Sequence, residues 1–285
     1  MSWKIIVAVV FVLIFLVSGA FIYGAYRWQA DTKALQTRIK TARVALSTKT
    51  FQLSDLQGLP EPVQRYFQTV LKEGQPLITK VTVEHSGTFN MGKHNDQWKP
   101  FESRQLIITK RPGFVWDARI RMAPAMTVHV HDAYIAGKGI LTARLFGFLT
   151  VMEQPDSPQL AQGEFVRFCA EAAWYPTALL PGQGVRWQAI DESSAGATIT
   201  DGPNTVQLVF RFDDRGLISS VRCDERYREV NGRLVATSWQ GRFWKYETHD
   251  GMLIPVKGEV AWLLPEGEES YWRGHIQKIE YEFAR

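Results

Sequence analysis

The sequence contains no catalytic signature. Among its 285 residues there is no G-x-S-x-G elbow, no H-E-x-x-H or C-x-x-C metal motif, and no phosphate-binding or dinucleotide-binding glycine loop. The activities built on those motifs therefore lose their local support. Gly137-Lys138-Gly139 is too short for either kind of nucleotide loop and reads as a hairpin turn. Cysteine is scarce too, with only Cys169 and Cys223. That excludes a disulfide-built scaffold and a cysteine-rich zinc module, and leaves either one disulfide or two buried thiols. Acidic residues are missing from residues 1 to 27, where Lys4 and Arg27 flank an uncharged stretch. These two account for part of an excess of 33 basic over 29 acidic residues, and the rest of the chain is nearly balanced. The electrostatic footprint of a nucleic-acid binder is thus lacking, and no nucleic-acid partner is expected.

What is present begins with a long apolar run. Ile5 to Tyr26 is free of charge, and at about 1.5 Å per residue it reaches across the roughly 30 Å of a hydrocarbon core. Trp3 and Lys4 before it, and Tyr23, Tyr26 and Trp28 at its end, are side chains suited to lipid–water interfaces. Ser18-Gly19-Ala20 offers a signal-peptidase site, but the apolar run continues past it, which favours an anchor over a cleaved signal. The basic residues after the run (Arg27, Lys33, Arg38, Lys40 and Arg43) would by the positive-inside count hold the following domain in the cytoplasm. An N-terminal anchor with a large domain behind it is instead more often translocated, and an extracytoplasmic domain is the expectation adopted.

Leu35, Ile39, Ala42 and Leu46 recur at helical spacing among basic residues. They mark a juxtamembrane amphipathic helix that either lies on lipid headgroups or packs on the domain. The expected organisation is an anchor over residues 1–27, this helix over 28–50, and one β-rich domain over 51–285. A helix is also expected in LPEPVQRYFQTVL, with Val63, Phe67 and Val70 on one face, and another between Gly163 and Pro176, with Phe165, Phe168, Ala172 and Tyr175 on one face.

From Val81 onward period two dominates, as in Val206, Leu208, Phe210 and Phe212. Turn signals at Gly137–Gly139, Asp201-Gly202, Asp213–Gly216, Asn231-Gly232 and Asp250-Gly251 separate the runs. The fold class implied is α+β, mainly β: a large, curved, half-barrel-like antiparallel sheet with a few covering helices and an N-terminal transmembrane helix. Ten Trp, nine Tyr and sixteen Phe, 12% of the chain, load that domain. Alternation places Trp239 and Phe243 on one face of their strand and Trp244 and Tyr246 on the other. Part of the sheet would then be apolar on both faces, and the second face must be covered by helices, lipid or a ligand.

Three groups carry candidate chemistry. His129 and His131 share a strand face, a pair that would hold one metal ion were a carboxylate from elsewhere to join them, whereas Asp132 points to the opposite face; strand histidines left partly exposed are the plainer reading. Glu171 and Trp174, three apart on a helix, share a side, and a buried Glu171 requires a partner, for which Arg65 is the candidate. That pair reads either as an ionic pin between two elements or as the polar end of an apolar pocket.

Four blocks carry a resemblance: Leu59-Pro60-x-x-Val63-x-Arg65-Tyr66, Pro112-Gly113-Phe114-x-Trp116-x-Ala118, Asp132-x-Tyr134 with Gly137 and Gly139, and Glu171-x-x-Trp174-x-Pro176-x-x-Leu179. Together they resemble an uncharacterised bacterial family of membrane-anchored or soluble domains, which has no assigned activity to carry over. The expected curved sheet with helices in its hollow is also loosely similar to the lipoprotein-carrier and lipoprotein-sorting fold, whose members hold acyl chains. The resulting expectation is a non-catalytic, membrane-tethered domain with membrane lipid as partner and an apolar ligand bound near Arg65, Trp116, Asp132, Glu171 and Trp174, needing no cofactor. A metal-assisted hydrolase and an envelope scaffold are the alternatives.

Overall fold

The computed structural model describes residues 3–47, 49–92 and 95–284. It has three α-helices, α1 (Trp3–Ala42), α2 (Glu61–Val70) and α3 (Pro158–Ala170). Before α3 come strands β1 (Ile78–Asn90), β2 (Trp98–Ile108), β3 (Gly113–Ala123), β4 (Met126–Ile135), β5 (Lys138–Leu145) and β6 (Leu149–Gln154). After it come β7 (Arg186–Asp191), β8 (Ser194–Asp201), β9 (Asn204–Phe212), β10 (Ile218–Val230), β11 (Arg233–His249), β12 (Met252–Leu264) and β13 (Gly267–Phe283). All belong to one 13-stranded sheet in the order β6-β5-β4-β3-β2-β1-β13-β12-β11-β10-β9-β8-β7. Two meanders are joined where β1 pairs antiparallel with β13, Val83 opposite Ile279.

The alternation seen in sequence becomes burial. In β9, Val206, Leu208, Phe210 and Phe212 are buried while Gln207 and Arg211 are exposed. The turn signals fall at hairpin tips as well. Asn231 and Gly232 have φ of 52° and 77°, and Asp250 and Gly251 have 47° and 80°, the paired positive values that a two-residue turn needs to match strand twist.

The chain leaves the sheet at the β6 edge and re-enters at the opposite edge, β7. Between them α3 and three short 3-10 turns (Glu171–Trp174, Pro176–Leu179, Pro181–Gln183) cross the hollow. α3 packs on β4, β5, β9 and β10, with Phe165 stacked on Tyr134 at 4.9 Å. Ser157 caps it by accepting a hydrogen bond from the Leu160 amide at 3.1 Å. The helix therefore starts at Pro158, before the Gly163 expected from sequence, and gives way at Glu171 to 3-10 turns rather than continuing to Pro176.

α1 is one continuous helix from the apolar run through the amphipathic segment. Its second half lies on the outer face of the sheet, where Ile39 packs with Leu106, Ile108, Val115, Ala133 and Ile135. Of the two readings of that stripe, packing on the domain is the one seen. The second apolar face is thus covered by α1, whereas α3 lies inside the hollow.

Two sequence expectations need correction. Tyr246 does not share a face with the exposed Trp244; it joins the core that holds Trp239 and Phe243, and its hydroxyl donates to the Ile218 carbonyl at 2.7 Å. Lys245, at φ 59°, resets the alternation between them. His131 is buried, not partly exposed, because α1 covers it. Cys169 and Cys223 are both buried free thiols.

Candidate functional site

Between the inner face of the sheet and α3 lies a cavity of about 490 Å³. Apolar side chains such as Val130, Leu141, Trp239, Phe243, Trp262 and Trp272 form most of its wall. Trp116, Asp132, Glu171 and Trp174 line it together, so four of the five residues singled out from sequence converge.

Arg65 does not. It sits on the exposed side of α2, pairs with Glu61 at 3.2 Å and donates to the Glu192 carbonyl at 2.8 Å. The cation beside Glu171 is Arg167, which α3 delivers one turn earlier: its Nε lies 2.7 Å from Glu171 and its Nη1 2.5 Å from Asp132. Gln105 donates to the other Glu171 oxygen at 2.6 Å. The guanidinium also lies 4.8 Å from the ring centres of both Phe114 and Trp116. Burial opposes its charge, but the carboxylates of Glu171 and Asp132 outweigh that and hold it protonated.

Glu164, also on α3, is buried next to Asp132. Burial and the Asp132 carboxylate raise its pKa well above the usual glutamate range, against the pull of Arg226 and Arg167. Glu164 Oε2 and Asp132 Oδ1 are both buried without a hydrogen-bond partner.

A second buried cation completes the wall. Arg226 donates to the Gly163 carbonyl at 3.1 Å and to the Tyr271 hydroxyl at 2.9 Å, and its guanidinium lies 5.0 Å from the Trp239 ring centre. Two guanidinium ions thus face two carboxylates and a neutral acid, and this part of the wall carries little net charge. Such a surface accepts an apolar guest while leaving fixed dipoles for a polar group. The indole nitrogens of Trp116 and Trp174 are also buried without a hydrogen-bond acceptor.

Sequence reasoning missed Arg167, Glu164, Gln105 and Arg226. Arg167 was within reach, since it lies four residues before Glu171 on a helix, an ion-pair spacing. Arg226 was not: the register shift between Cys223 and Arg226 turns the latter inward against simple alternation.

His129 and His131 lie on the opposite, outer face. The Trp28 ring stacks on His131 at 3.7 Å and 10°, and the Thr32 hydroxyl is 2.7 Å from His131 Nε2. Trp28 Nε1 and Thr32 Oγ1 both donate to Asp117, at 2.9 and 3.2 Å. The histidines serve the seat of α1. No group of three or more metal-ligating side chains is found among the described residues.

An antiparallel half-barrel wrapped around one helix, with an apolar cavity between, defines the class of domain. The chain belongs to a family of unknown function (DUF6920), whose model matches residues 57–281. No curated protein matches it. Among solved structures it is similar to a DUF1329 family protein from Desulfovibrio piger, at 13% identity and a TM-score of 0.40, covering 78% of this chain and 91% of that one. A putative outer membrane lipoprotein-sorting protein domain from Vibrio parahaemolyticus is 10% identical with a TM-score of 0.38, covering 81% and 92%. A LolA superfamily protein from Nitrosomonas europaea is 11% identical with a TM-score of 0.34, covering 78% and 92%. At these scores the likenesses bear on neither the cavity nor its contents.

Proposed function

We infer that this chain is a non-catalytic, membrane-anchored binding domain whose cavity holds the acyl chain of a membrane lipid. The observation that carries the reading is the cavity: about 490 Å³, walled mainly by apolar and aromatic side chains, with a charge-balanced polar cluster on one side. That volume falls within the roughly 300–1,000 Å³ usual for small-ligand sites, and its lining of many apolar and few convergent polar groups is what such sites share. α1 supplies the second support. It is long and apolar enough to cross a bilayer, and its first 18 residues or so are almost wholly uncovered by the rest of the chain. On this reading residues 1–27 anchor the chain and the domain stands outside the cytoplasm.

The test is lipid analysis of the full chain purified in detergent from its own membranes. Mass spectrometry should find lipid retained at about one molecule per chain, and Val130→Trp with Leu141→Trp, which fill the cavity, should release it. A wild-type protein that retains no lipid and takes up none from vesicles would overturn the reading.

A further inference from the structure

α1 does not stop at the sheet; it runs on beside it, and its contacts climb in order. The ring centres of Phe21 and Phe146 are 4.9 Å apart, Trp28 and Thr32 meet His131, and Ile39 packs with Ala133 and Ile135. Strand β4 therefore runs alongside α1 in the same direction. The helix rises about 16 Å from Trp28 to Ile39, and β4 advances about 17 Å over the five residues from Val130 to Ile135, so the two stay in step. The strands extend along the line in which α1 leaves its apolar run, and the tips at the start of β4 face back down the helix.

In an antiparallel meander alternate hairpin tips share an end. Within the first meander the β1–β2, β3–β4 and β5–β6 tips lie at this one, and the β10–β11 hairpin reaches the same cavity rim, where Gln154 of β6 donates to Glu229 at 3.4 Å. The β5–β6 tip is clasped to α1: a Cβ added at Gly24 would stand 2.5 Å from Phe148 Cδ1 and 2.6 Å from the Phe146 carbonyl oxygen. Phe21 and Gly24 belong to the uncharged run, roughly 3–8 Å of helix before its end at Tyr26. The tip is thus held at the depth where the run meets water. Around it the same end exposes apolar side chains: Leu149 at 49% and Val151 at 57%, with Met91, Met126, Leu234 and Val235. Met91, Val151 and Leu234 also line the mouth of the cavity.

We propose that this end of the half-barrel rests in the interfacial layer of the bilayer crossed by α1, and that the cavity mouth opens onto that leaflet, so that a lipid chain enters from the membrane without passing through water. The inference rests on reading α1 as an anchor and the cavity as a lipid site. It accounts for a ring of exposed apolar side chains around a cavity mouth, which soluble surfaces avoid.

The test uses the full chain in vesicles of phosphatidylcholine and phosphatidylglycerol. A single cysteine placed by Val151→Cys, Leu234→Cys or Lys72→Cys carries an environment-sensitive fluorophore; Cys169 and Cys223 are buried. Lys72 is exposed beside the β11–β12 tip, at the far end of the sheet. Lipids bearing a nitroxide on the acyl chain should quench the labels at 151 and 234 and leave the label at 72 bright. Labels at 151 and 234 as bright and water-like as the one at 72 would overturn the proposal. Lipid content is measured separately on the same preparations. Retained lipid with an unquenched rim overturns this route and leaves the cavity reading intact; a quenched rim on lipid-free protein upholds the membrane contact and overturns entry. Val151→Asp with Leu234→Asp, both at exposed positions and checked for unchanged thermal unfolding, should lose most of the retained lipid and the quenching of a label carried instead by Met126→Cys on the same rim.

Discussion

Arg167 is the residue on which the polar wall depends. Among the described residues it alone bonds both Asp132 and Glu171, and Arg167→Met leaves two carboxylates without their shared cation in a low-dielectric wall. Removing one partner of a buried pair costs about 3–5 kcal/mol, a loss that denaturant unfolding should register. Adding Asp132→Asn and Glu171→Gln to the same chain should recover most of it, because no uncompensated charge then remains. Glu164 gives a pH signature. Its folded pKa lies above its unfolded value, so the unfolded chain releases the proton first and stability falls as pH rises through the folded pKa. Glu164→Gln should match the wild type at about pH 4 and exceed its melting temperature at about pH 8. At this scale the sequence was informative where spacing is local and silent where it is not. Glu171 and Trp174 could be read as one helical side, but Gln105 reaches Glu171 from a strand 66 positions away, and no local pattern announces that.

At the scale of elements, α1 is held to the sheet by one layer of contacts: Trp28 on His131, Thr32 and Trp28 on Asp117, and Arg144 on Asp31 at 2.6 Å. Burial lowers the His131 pKa from 6.5 to about 4, with Asp117 and Asp31 resisting and Arg144 and His129 assisting. The imidazole is neutral when α1 is seated and takes up a proton more readily when it is released. Its stabilising contribution is therefore complete above pH 6.5 and is lost as the pH falls towards about 4. Amide protection factors across residues 28–42, corrected for the intrinsic slowing of exchange in acid, should fall over that window, and His131→Phe, which keeps a ring under Trp28 but cannot be protonated, should hold them level. Gly24→Leu should spring the β5–β6 tip from the helix, since the clash involves the Phe146 backbone as well as the flexible Phe148 ring. Faster exchange confined to residues 145–150 is the expected readout. The strands, turns and helix faces were legible because they follow from periodicity and turn chemistry. The seating of α1 was not, since a helix stripe of Leu35 and Ile39 is compatible with lipid or protein until the register of β4 beneath it is known.

For the whole molecule, the sheet has two free edges, β6 and β7, and its centre is the seam between β1 and β13. Hydrogen exchange should therefore be slowest in β1 and β13 and fastest in β6 and β7, with α3 intermediate because it is covered by both meanders. An edge strand as protected as the seam would show that something further covers it. The seam also orders events in time. As the chain is synthesised, β1 emerges long before its partner, and the β1–β6 meander must wait, with its aromatic inner face open and one border unpaired, until β13 arrives from some 190 residues later to close it. Such a chain invites a companion during its own making, and on the reading of α1 as an anchor the helix that emerges first keeps the waiting half at the membrane until the final strand seals the hollow.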